Sequence, residues 1–293
     1  FGSHAFNLYK IATLANSGVP IEVAEPNLVM EVDRVLARVT PRTRMVYVAN
    51  PNNPTGTYVT AAELRRLHAG LPDSALLVID AAYAEYVKRN DYEAGIELVS
   101  TTNNVVMTRT FSKAYGLAGI RVGWAYCPKD IAEVLNRIRA PFNVTTAGQA
   151  AAVAAIHDHE WVEASRAHNA QWREWLAGEV GLLSNHVLRA IPSKTNFLLI
   201  LFEHESAEQR RAGFTQLRHL APQCRLARRG ELRLVDVAGD DVVNAHGAQH
   251  READQAEAAA ADHRDPVTRA ELGQLGGRAE GGQARAGERG GER

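Results

Sequence analysis

The chain has little of several features that would place it in a special class of protein. Its 293 residues include only two cysteines, Cys127 and Cys224, which are far apart in sequence, so we expect free thiols and no disulfide framework. The formal net charge is −1, which gives no global attraction to nucleic acid or anionic membrane. It also lacks an apolar run long enough to cross a bilayer and a visible signal peptide. We therefore expect a cytoplasmic protein without nucleic-acid or membrane partners, and its 45% of hydrophobic residues can form a sizeable core.

Metal-ligand spacing is also missing. His157, His159 and His168 are close in sequence, but no cysteine or carboxylate stands at ligand spacing with them, so we expect surface histidines on helices and no metal.

The last part of the chain lacks large apolar residues. No lysine occurs from Glu203 onward and no aromatic residue follows Phe214. Such a segment buries too little surface to offset its chain entropy, so we expect a disordered polar tail over 238–293. The change in composition has two explanations, a natural tail or a reading-frame slip in a GC-rich gene, and its abruptness favours the slip.

The most informative segment covers residues 110–124, TFSKAYGLAGIRVGW. It places Lys113 in a small, hydroxylated, glycine-rich turn without a like charge beside it, and Arg121 follows eight positions later. A desolvated lysine can lose its proton and become a nucleophilic amine, as Schiff-base chemistry with an aldehyde cofactor requires. Taken alone, the segment also fits a lysine on a surface loop.

Two upstream segments bear on whether Lys113 is a reactive amine or a lysine on a surface loop. Residues 46–56 read as an apolar strand that enters an asparagine- and proline-rich loop, whose amides can donate to a ligand oxygen. Residues 75–83 read as a strand buried on both faces that ends at Asp80, where open α/β sheets hold ligands. Alone, the first segment also fits a plain turn, and the aspartate of the second also fits a helix N-cap. The alternation of strands at 45–49, 76–80 and 105–109 with a helix at 61–71 favours an α/β fold.

Taken in order, the Asn-Pro loop, the strand-end aspartate with a tyrosine three positions on, and the Ser-Lys turn with its following arginine resemble the core of fold-type I pyridoxal-phosphate enzymes. More narrowly, they resemble the histidinol-phosphate aminotransferases of the class II aminotransferase group. The resemblance extends from Phe1 to about Phe202, and residues 1–9 are similar to the family's segment that stacks an aromatic on the cofactor.

The resemblance implies a role for each matching residue. Lys113 would bind the aldehyde of pyridoxal 5′-phosphate covalently and carry the substrate proton, and Asp80 would pair with the pyridine nitrogen. Tyr83 and Asn53 would hydrogen-bond the phenolic oxygen of the cofactor. The other implied contacts are Ser112, Arg121 and Thr110 to the phosphate, and Phe6 to the face of the ring. The Asn53-Pro54 peptide is expected to be cis, as in related aminotransferases.

The resemblance also implies a three-layer α/β/α large domain over 1–142, with its N-terminal part missing upstream of Phe1, and an α+β small domain over 143–237. In the small domain we expect long helices over 145–183, including 150–156 and 160–176, and paired strands within 188–202. Asn196 matches the family's asparagine near the substrate carboxylate. Arg233 is the candidate for the carboxylate-binding arginine, against the alternative that it has no role.

The implied reaction transfers an amino group between histidinol phosphate and 2-oxoglutarate in histidine biosynthesis, by a homodimer when full length. An aromatic amino-acid aminotransferase and a threonine-phosphate decarboxylase share the same motifs and stay open. The alternatives outside enzymes are an inactive truncated or frame-shifted fragment and a cofactor-binding regulatory module.

Overall fold

A mixed four-stranded sheet organises the computed structural model, which describes residues 1–183 and 188–202. The strands lie in chain order: β1 (Met45–Ala49), β2 (Leu76–Asp80), β3 (Val105–Thr110) and β4 (Gly123–Tyr126). The first three strands are parallel, and β4 runs antiparallel to β3. This mixed sheet with connecting helices confirms the predicted α/β class.

Seven helices accompany the strands in the part of the chain that the structure describes. They are α1 (Leu8–Ala15), α2 (Val32–Leu36), α3 (Ala61–Ala69), α4 (Ile96–Thr101), α5 (Lys129–Ile138), α6 (Thr146–His157) and α7 (His159–Leu183). Two short 3-10 turns cover Ala84–Tyr86 and Ala118–Ile120. Threonine hydroxyls cap two of the helices: Thr60 accepts a hydrogen bond from the backbone N–H of Glu63 in α3, and Thr145 accepts one from Gly148 in α6. None of the described helices is long and apolar enough to cross a membrane.

The main core lies between the sheet and the helices α2, α3 and α4. Alternate residues of the strands point into it, so that Val48, Leu77 and Ile79 are fully buried. Leu64 and Leu67 of α3 share one helix face and are equally inaccessible. Because α3 connects β1 to β2 and α4 connects β2 to β3, these crossovers set the parallel direction of the three strands.

A second, smaller sheet follows α7. Strands β5 (Leu188–Ala190) and β6 (Ile200–Phe202) pair antiparallel and confirm the paired strands predicted within 188–202. Leu176 and Val180 of α7 pack against Leu188 and Ile200 of this ribbon. The loop between the two strands therefore starts and ends on a buried apolar support.

Most predicted elements agree with the structure, and their ends differ by a few residues. Strands β1 and β2 have the predicted bounds, and β3 is one residue longer. Helix α3 ends at Ala69 instead of residue 71, because Gly70 is its C-cap and Pro72 disfavours helical backbone in the residue before it. Helices α6 and α7 lie within the helical stretch predicted over 145–183, and each is longer than the segments 150–156 and 160–176 named in it.

Several predictions lie outside the described residues. They are the small domain beyond Phe202, the polar tail at 238–293, Arg233 and Cys224. The other cysteine, Cys127, is a free thiol, as predicted.

Candidate active site

The carboxyl ends of the three parallel strands meet at one edge of the sheet. β1 leads into the Asn-Pro loop, β2 ends at Asp80, and β3 ends at Thr110, just before the turn with Lys113. The strand register places Asp80 between Ala49 of β1 and Thr108 of β3. Segments that are far apart in the sequence thus arrive together where open α/β sheets hold their ligands.

Two donors hold the carboxylate of Asp80. Its Oδ2 atom accepts a 2.7 Å hydrogen bond from the hydroxyl of Tyr9, and its Oδ1 atom accepts one of 3.2 Å from the backbone N–H of Ala82. Burial raises the pKa of the Tyr9 phenol and the negative charge of Asp80 raises it further, so the phenol stays a donor. Sequence reasoning did not identify Tyr9, although the tyrosine lies only three residues after the predicted Phe6.

Lys113, Tyr83 and Asn53 lie beside one another. The side-chain amide of Asn53 donates to the phenol oxygen of Tyr83 at 3.3 Å, and the Lys113 Nζ atom lies 5.1 Å from the centre of the Tyr83 ring. Tyr83 is buried, and Phe197 packs its ring edge-on against it at 5.2 Å. The structure therefore brings an amine, a phenol and an amide close together, beside the aromatic ring of Phe197.

A hydroxyl and a guanidinium lie together in the turn after β3. Arg121 donates through Nη1 to the Ser112 hydroxyl at 3.3 Å and to the Ala118 carbonyl at 2.7 Å. The hydroxyl of Thr110 accepts the backbone N–H of Ser112 at 3.0 Å, which shapes the start of the turn. Arg121 adopts left-handed backbone with φ 59°, an uncommon conformation for a residue with a side chain. This charged, hydroxyl-lined turn can bind an anion such as a phosphate.

The turn that carries Phe6 is anchored on both sides. The backbone N–H of His4 donates to Glu25 at 2.7 Å, and the His4 carbonyl accepts from the Asn52 side chain at 3.1 Å. Glu25 is only 3% exposed. Phe6 itself contacts the Tyr9 ring edge-to-face, with ring centres 6.2 Å apart. Glu25 and Asn52 were missed in the sequence, because nothing local pairs either residue with His4.

Asn50, the first residue of the Asn-Pro loop, joins the start of the loop to Val59 beyond its end. The Asn50 side chain both donates to and accepts from the backbone of Val59 at 3.0 and 2.9 Å, and it is fully buried. The Asn53-Pro54 peptide is cis, as predicted, and so is Asn50-Pro51, which was not predicted.

The loop between β5 and β6 packs against the Asn-Pro loop. The Lys194 N–H donates to the Gly56 carbonyl at 2.8 Å, and Gly56 has a φ of +71°. Asn169 and Arg173 of α7 donate to the Thr195 carbonyl at 3.0 and 2.8 Å. The predicted Asn196 follows in this loop and is half-buried, and the next residue, Phe197, contacts the Tyr83 ring.

The structure brings together Lys113, Tyr83 and Asn53, places Asp80 and Phe6 against Tyr9, and places Thr110, Ser112 and Arg121 in one turn. Arg233 lies outside the described residues. Within residues 1–183 and 188–202, no group of three or more histidine, cysteine, aspartate or glutamate side chains could hold a metal ion.

Sequence comparison identifies related proteins. The model of the family described as aminotransferase class I and II matches residues 5–226. Histidinol-phosphate aminotransferase of Sphingopyxis alaskensis is 55% identical over 200 residues, which are 68% of this chain and 54% of that protein. The protein of the same name from Nitrobacter winogradskyi is 54% identical over the same shares. The chain thus spans about half the length of the curated relatives that it matches.

Solved structures show the same fold. The histidinol-phosphate aminotransferase of Sinorhizobium meliloti, in complex with pyridoxal-5′-phosphate, is similar with a TM-score of 0.67 and 27% identity, covering 82% of this chain and 62% of that one. The histidinol-phosphate aminotransferase of Clostridium acetobutylicum has a TM-score of 0.66 at 18% identity, covering 74% of this chain and 65% of that one, and supports the fold alone.

Proposed function

Because the chain belongs to the aminotransferase class I and II family, we propose that it supplies the cofactor site of a pyridoxal-phosphate-dependent aminotransferase that acts on histidinol phosphate and 2-oxoglutarate. One observation carries the proposal: Lys113 lies against the ring of Tyr83, and the phenol oxygen of Tyr83 accepts a hydrogen bond from Asn53. These three residues follow the carboxyl ends of the parallel strands, at the edge of the sheet where β2 ends at Asp80.

The side chains at this edge fit pyridoxal 5′-phosphate. The Asp80 carboxylate suits a protonated pyridine nitrogen, and the Tyr83 phenol and Asn53 amide suit the phenolate oxygen. The turn with Ser112 and Arg121 suits the phosphate. The remaining assigned contacts are Thr110 to the phosphate and Phe6 to the ring face. When bound, the cofactor supplies an aldehyde for amines and a ring that takes up the electrons released at the substrate Cα.

Lys113 has two tasks in this proposal. Its amine holds the cofactor covalently in the resting enzyme, and after displacement by the substrate amine it carries the proton that leaves Cα. Its Nζ atom lies 5.1 Å from the centre of the buried Tyr83 ring, which also contacts Phe197. Asp80 retains the proton on the ring nitrogen, and Asn196 binds the substrate carboxylate from the neighbouring loop.

The choice of substrate rests on the relatives. Two proteins named histidinol-phosphate aminotransferase are 55% and 54% identical to this chain over an aligned stretch that covers 68% of it. The proposal therefore includes a place in histidine biosynthesis, a cytoplasmic location and a homodimer in the full-length protein. It also includes a large domain over 1–142, a small domain over 143–237 with Arg233 as the carboxylate-binding arginine, and a polar tail at 238–293.

The test of the proposal is a screen of half-reactions. The protein is loaded with pyridoxal phosphate, and amino donors are added one at a time while the visible absorbance of the bound cofactor is followed. Histidinol phosphate should convert the cofactor fastest, and 2-oxoglutarate should restore the band. Faster conversion by phenylalanine or tyrosine would favour an aromatic aminotransferase. Release of carbon dioxide from threonine phosphate would favour a decarboxylase, and no cofactor binding at all would contradict the proposal.

A further inference from the structure

The contact between Tyr9 and Asp80 joins helix α1 to the end of strand β2. Tyr9 lies in α1, 71 positions before Asp80 at the end of β2, and its hydroxyl donates to Asp80 Oδ2 at 2.7 Å. The tyrosine is 7% exposed, so this donor is screened from water. A hydrogen bond from a buried donor to a charged acceptor is among the stronger interactions that a site contains.

Packing holds the Tyr9 ring in place. It stacks on the ring of Tyr47 in β1 with 4.8 Å between centres and an angle of 8° between planes. Its backbone is also tied, since the Tyr9 N–H donates to the Phe6 carbonyl at 3.1 Å and the Thr13 hydroxyl donates to the Tyr9 carbonyl at 2.7 Å. The position of the phenol oxygen beside Asp80 is therefore determined by the packing of the ring and by the backbone of α1.

The Asp80 carboxylate is held at both oxygens. The Ala82 N–H donates to Oδ1 at 3.2 Å and the Tyr9 hydroxyl donates to Oδ2. An ionised carboxylate offers about four acceptor positions, so two donors fix its plane and leave positions for a further donor. Because only one donor comes from the same turn as Asp80, the second one, Tyr9, determines whether the carboxylate can rotate about its side-chain bond.

The surroundings keep Tyr9 protonated. Burial is the main cause that raises the pKa of the Tyr9 phenol, and Asp80, Tyr83 and Tyr47 raise it further. Lys113 lies beyond Tyr83, 5.1 Å from the centre of that ring. Tyr9 therefore donates to Asp80 throughout the pH range in which an enzyme works.

We propose that Tyr9 is a positioning residue: by donating to Oδ2 it orients the Asp80 carboxylate toward the pyridine nitrogen of the cofactor. The effect on the carboxylate is a property of the protein alone. Its consequence for amino-group transfer rests on the proposed function.

The test compares Tyr9→Phe with Tyr47→Phe. The first change removes the donor and keeps the stacked ring. The second removes a hydroxyl from the ring stacked on Tyr9 and leaves the contact with Asp80 intact, so it is the matched control. The Asp80 carboxyl is titrated by carbon-13 NMR in the protein without cofactor, with its signal assigned by its loss in Asp80→Asn.

The loss of a donor to the charged form raises the pKa of a carboxyl group. The Asp80 midpoint should therefore move up in Tyr9→Phe, because the hydrogen bond from Tyr9 to the charged carboxylate is lost. It should stay in place in Tyr47→Phe. In the loaded enzyme, kcat should fall about tenfold in Tyr9→Phe with little change in KM, because one charge-assisted bond is lost. The acid limb of the kcat profile should move to higher pH.

A second variant covers the case that Tyr9→Phe does not fold. Incorporation of 3-fluorotyrosine at position 9 makes the phenol more acidic and a stronger donor, so the Asp80 midpoint should move down. An unchanged midpoint in both variants, or an equal shift in Tyr47→Phe, overturns the role of Tyr9.

The failure of this inference and that of the proposed function are distinguishable. A shifted midpoint in a protein that does not bind pyridoxal phosphate would refute the proposed function and support the Tyr9 contact. Normal amino-group transfer by the wild-type enzyme, with an Asp80 midpoint that does not move in Tyr9→Phe, would support the proposed function and refute the role of Tyr9.

Discussion

The Asn53 amide donates to the phenol oxygen of Tyr83 at 3.3 Å, across 30 positions of sequence. The bond links the Asn-Pro loop after β1 to the turn after β2, and Lys113 from the turn after β3 lies against the same tyrosine ring. Three neighbouring strands thus each contribute a polar group to one small region. Substitutions in this region are therefore expected to change cofactor binding and turnover.

Lys113 is expected to be the residue that binds the cofactor covalently. After loading with pyridoxal phosphate and reduction with borohydride, mass spectrometry of the digested protein should locate the label on Lys113. Lys113→Ala should lose the label. Lys88→Ala should keep it, because Lys88 is an exposed residue paired with Glu163. A label on another lysine in the wild-type protein would refute the assignment.

Replacement of Asp80 by alanine should affect turnover more than cofactor retention. In the proposed function the carboxylate keeps the ring nitrogen of the cofactor protonated, whereas the turn with Ser112 and Arg121, which is proposed to bind the phosphate, is left unchanged. Turnover and the dissociation constant for pyridoxal phosphate are measured on the same preparation. Near-normal turnover would count against the role of Asp80.

The Asn53–Tyr83 hydrogen bond should be detectable as a coupling between two mutations. Asn53→Ala and Tyr83→Phe each remove it, so in a double-mutant cycle of cofactor affinity the second change should cost less than the first. The expected coupling is about 0.5–1.5 kcal/mol, the usual net contribution of such a bond. Strictly additive effects would show that the bond does not act in cofactor binding.

Gly56→Ala should destabilise the fold. Gly56 has φ +71°, and a Cβ atom built there would lie 2.2 Å from the Ser193 hydroxyl oxygen and 3.0 Å from the Ser193 Cα atom. The strained backbone and the overlap together should lower the free energy of unfolding by about 1–3 kcal/mol, measured by urea denaturation.

The matched control for that change is Gly178→Ala in α7, where a Cβ atom would meet nothing within 4 Å. Alanine is a better helix former than glycine, so this variant should gain about 0.5–1 kcal/mol. Equal losses at both glycines would contradict the account of the loop contact.

Arg109→Met should be strongly destabilising. The Arg109 guanidinium donates to the Glu85 carboxylate at 2.5 Å, with side chains only 14% and 6% exposed, so the change leaves a buried charge without its partner. A loss of about 3–5 kcal/mol is expected from thermal or urea unfolding. Arg65→Ala, which breaks the exposed pair with Glu97, should cost about 1 kcal/mol or less. Similar losses for both pairs would contradict this prediction.

Much of the local structure follows from short stretches of sequence. The apolar runs of β1 and β2 predict these strands to the residue, because short continuous runs rich in β-branched residues and bounded by polar segments are typical of strands. Helix ends are less well predicted: α3 stops at its glycine cap, two residues before the predicted end. The chemical character of Lys113 and Asp80 is also readable from their neighbours.

The contacts with Tyr9 and Glu25 could not be predicted in this way. Tyr9 donates to a residue 71 positions away, and Glu25 binds the backbone of His4 across 21 positions. A tyrosine on an amphipathic helix and a glutamate in a loop have the same local signal whether or not they reach such partners. The buried pair of Arg109 and Glu85 was missed for the same reason.

The sequence by itself determined which segments become strands and helices and which side chains bear reactive groups, because both depend on spacing and residue type over a few positions. Only the tertiary structure decided which of these side chains come into contact. Parallel strand pairing placed the ends of β1, β2 and β3 at one edge, and the path of α1 then brought Tyr9 to Asp80. Such meetings depend on the packing of the whole sheet, since no short segment contains both partners.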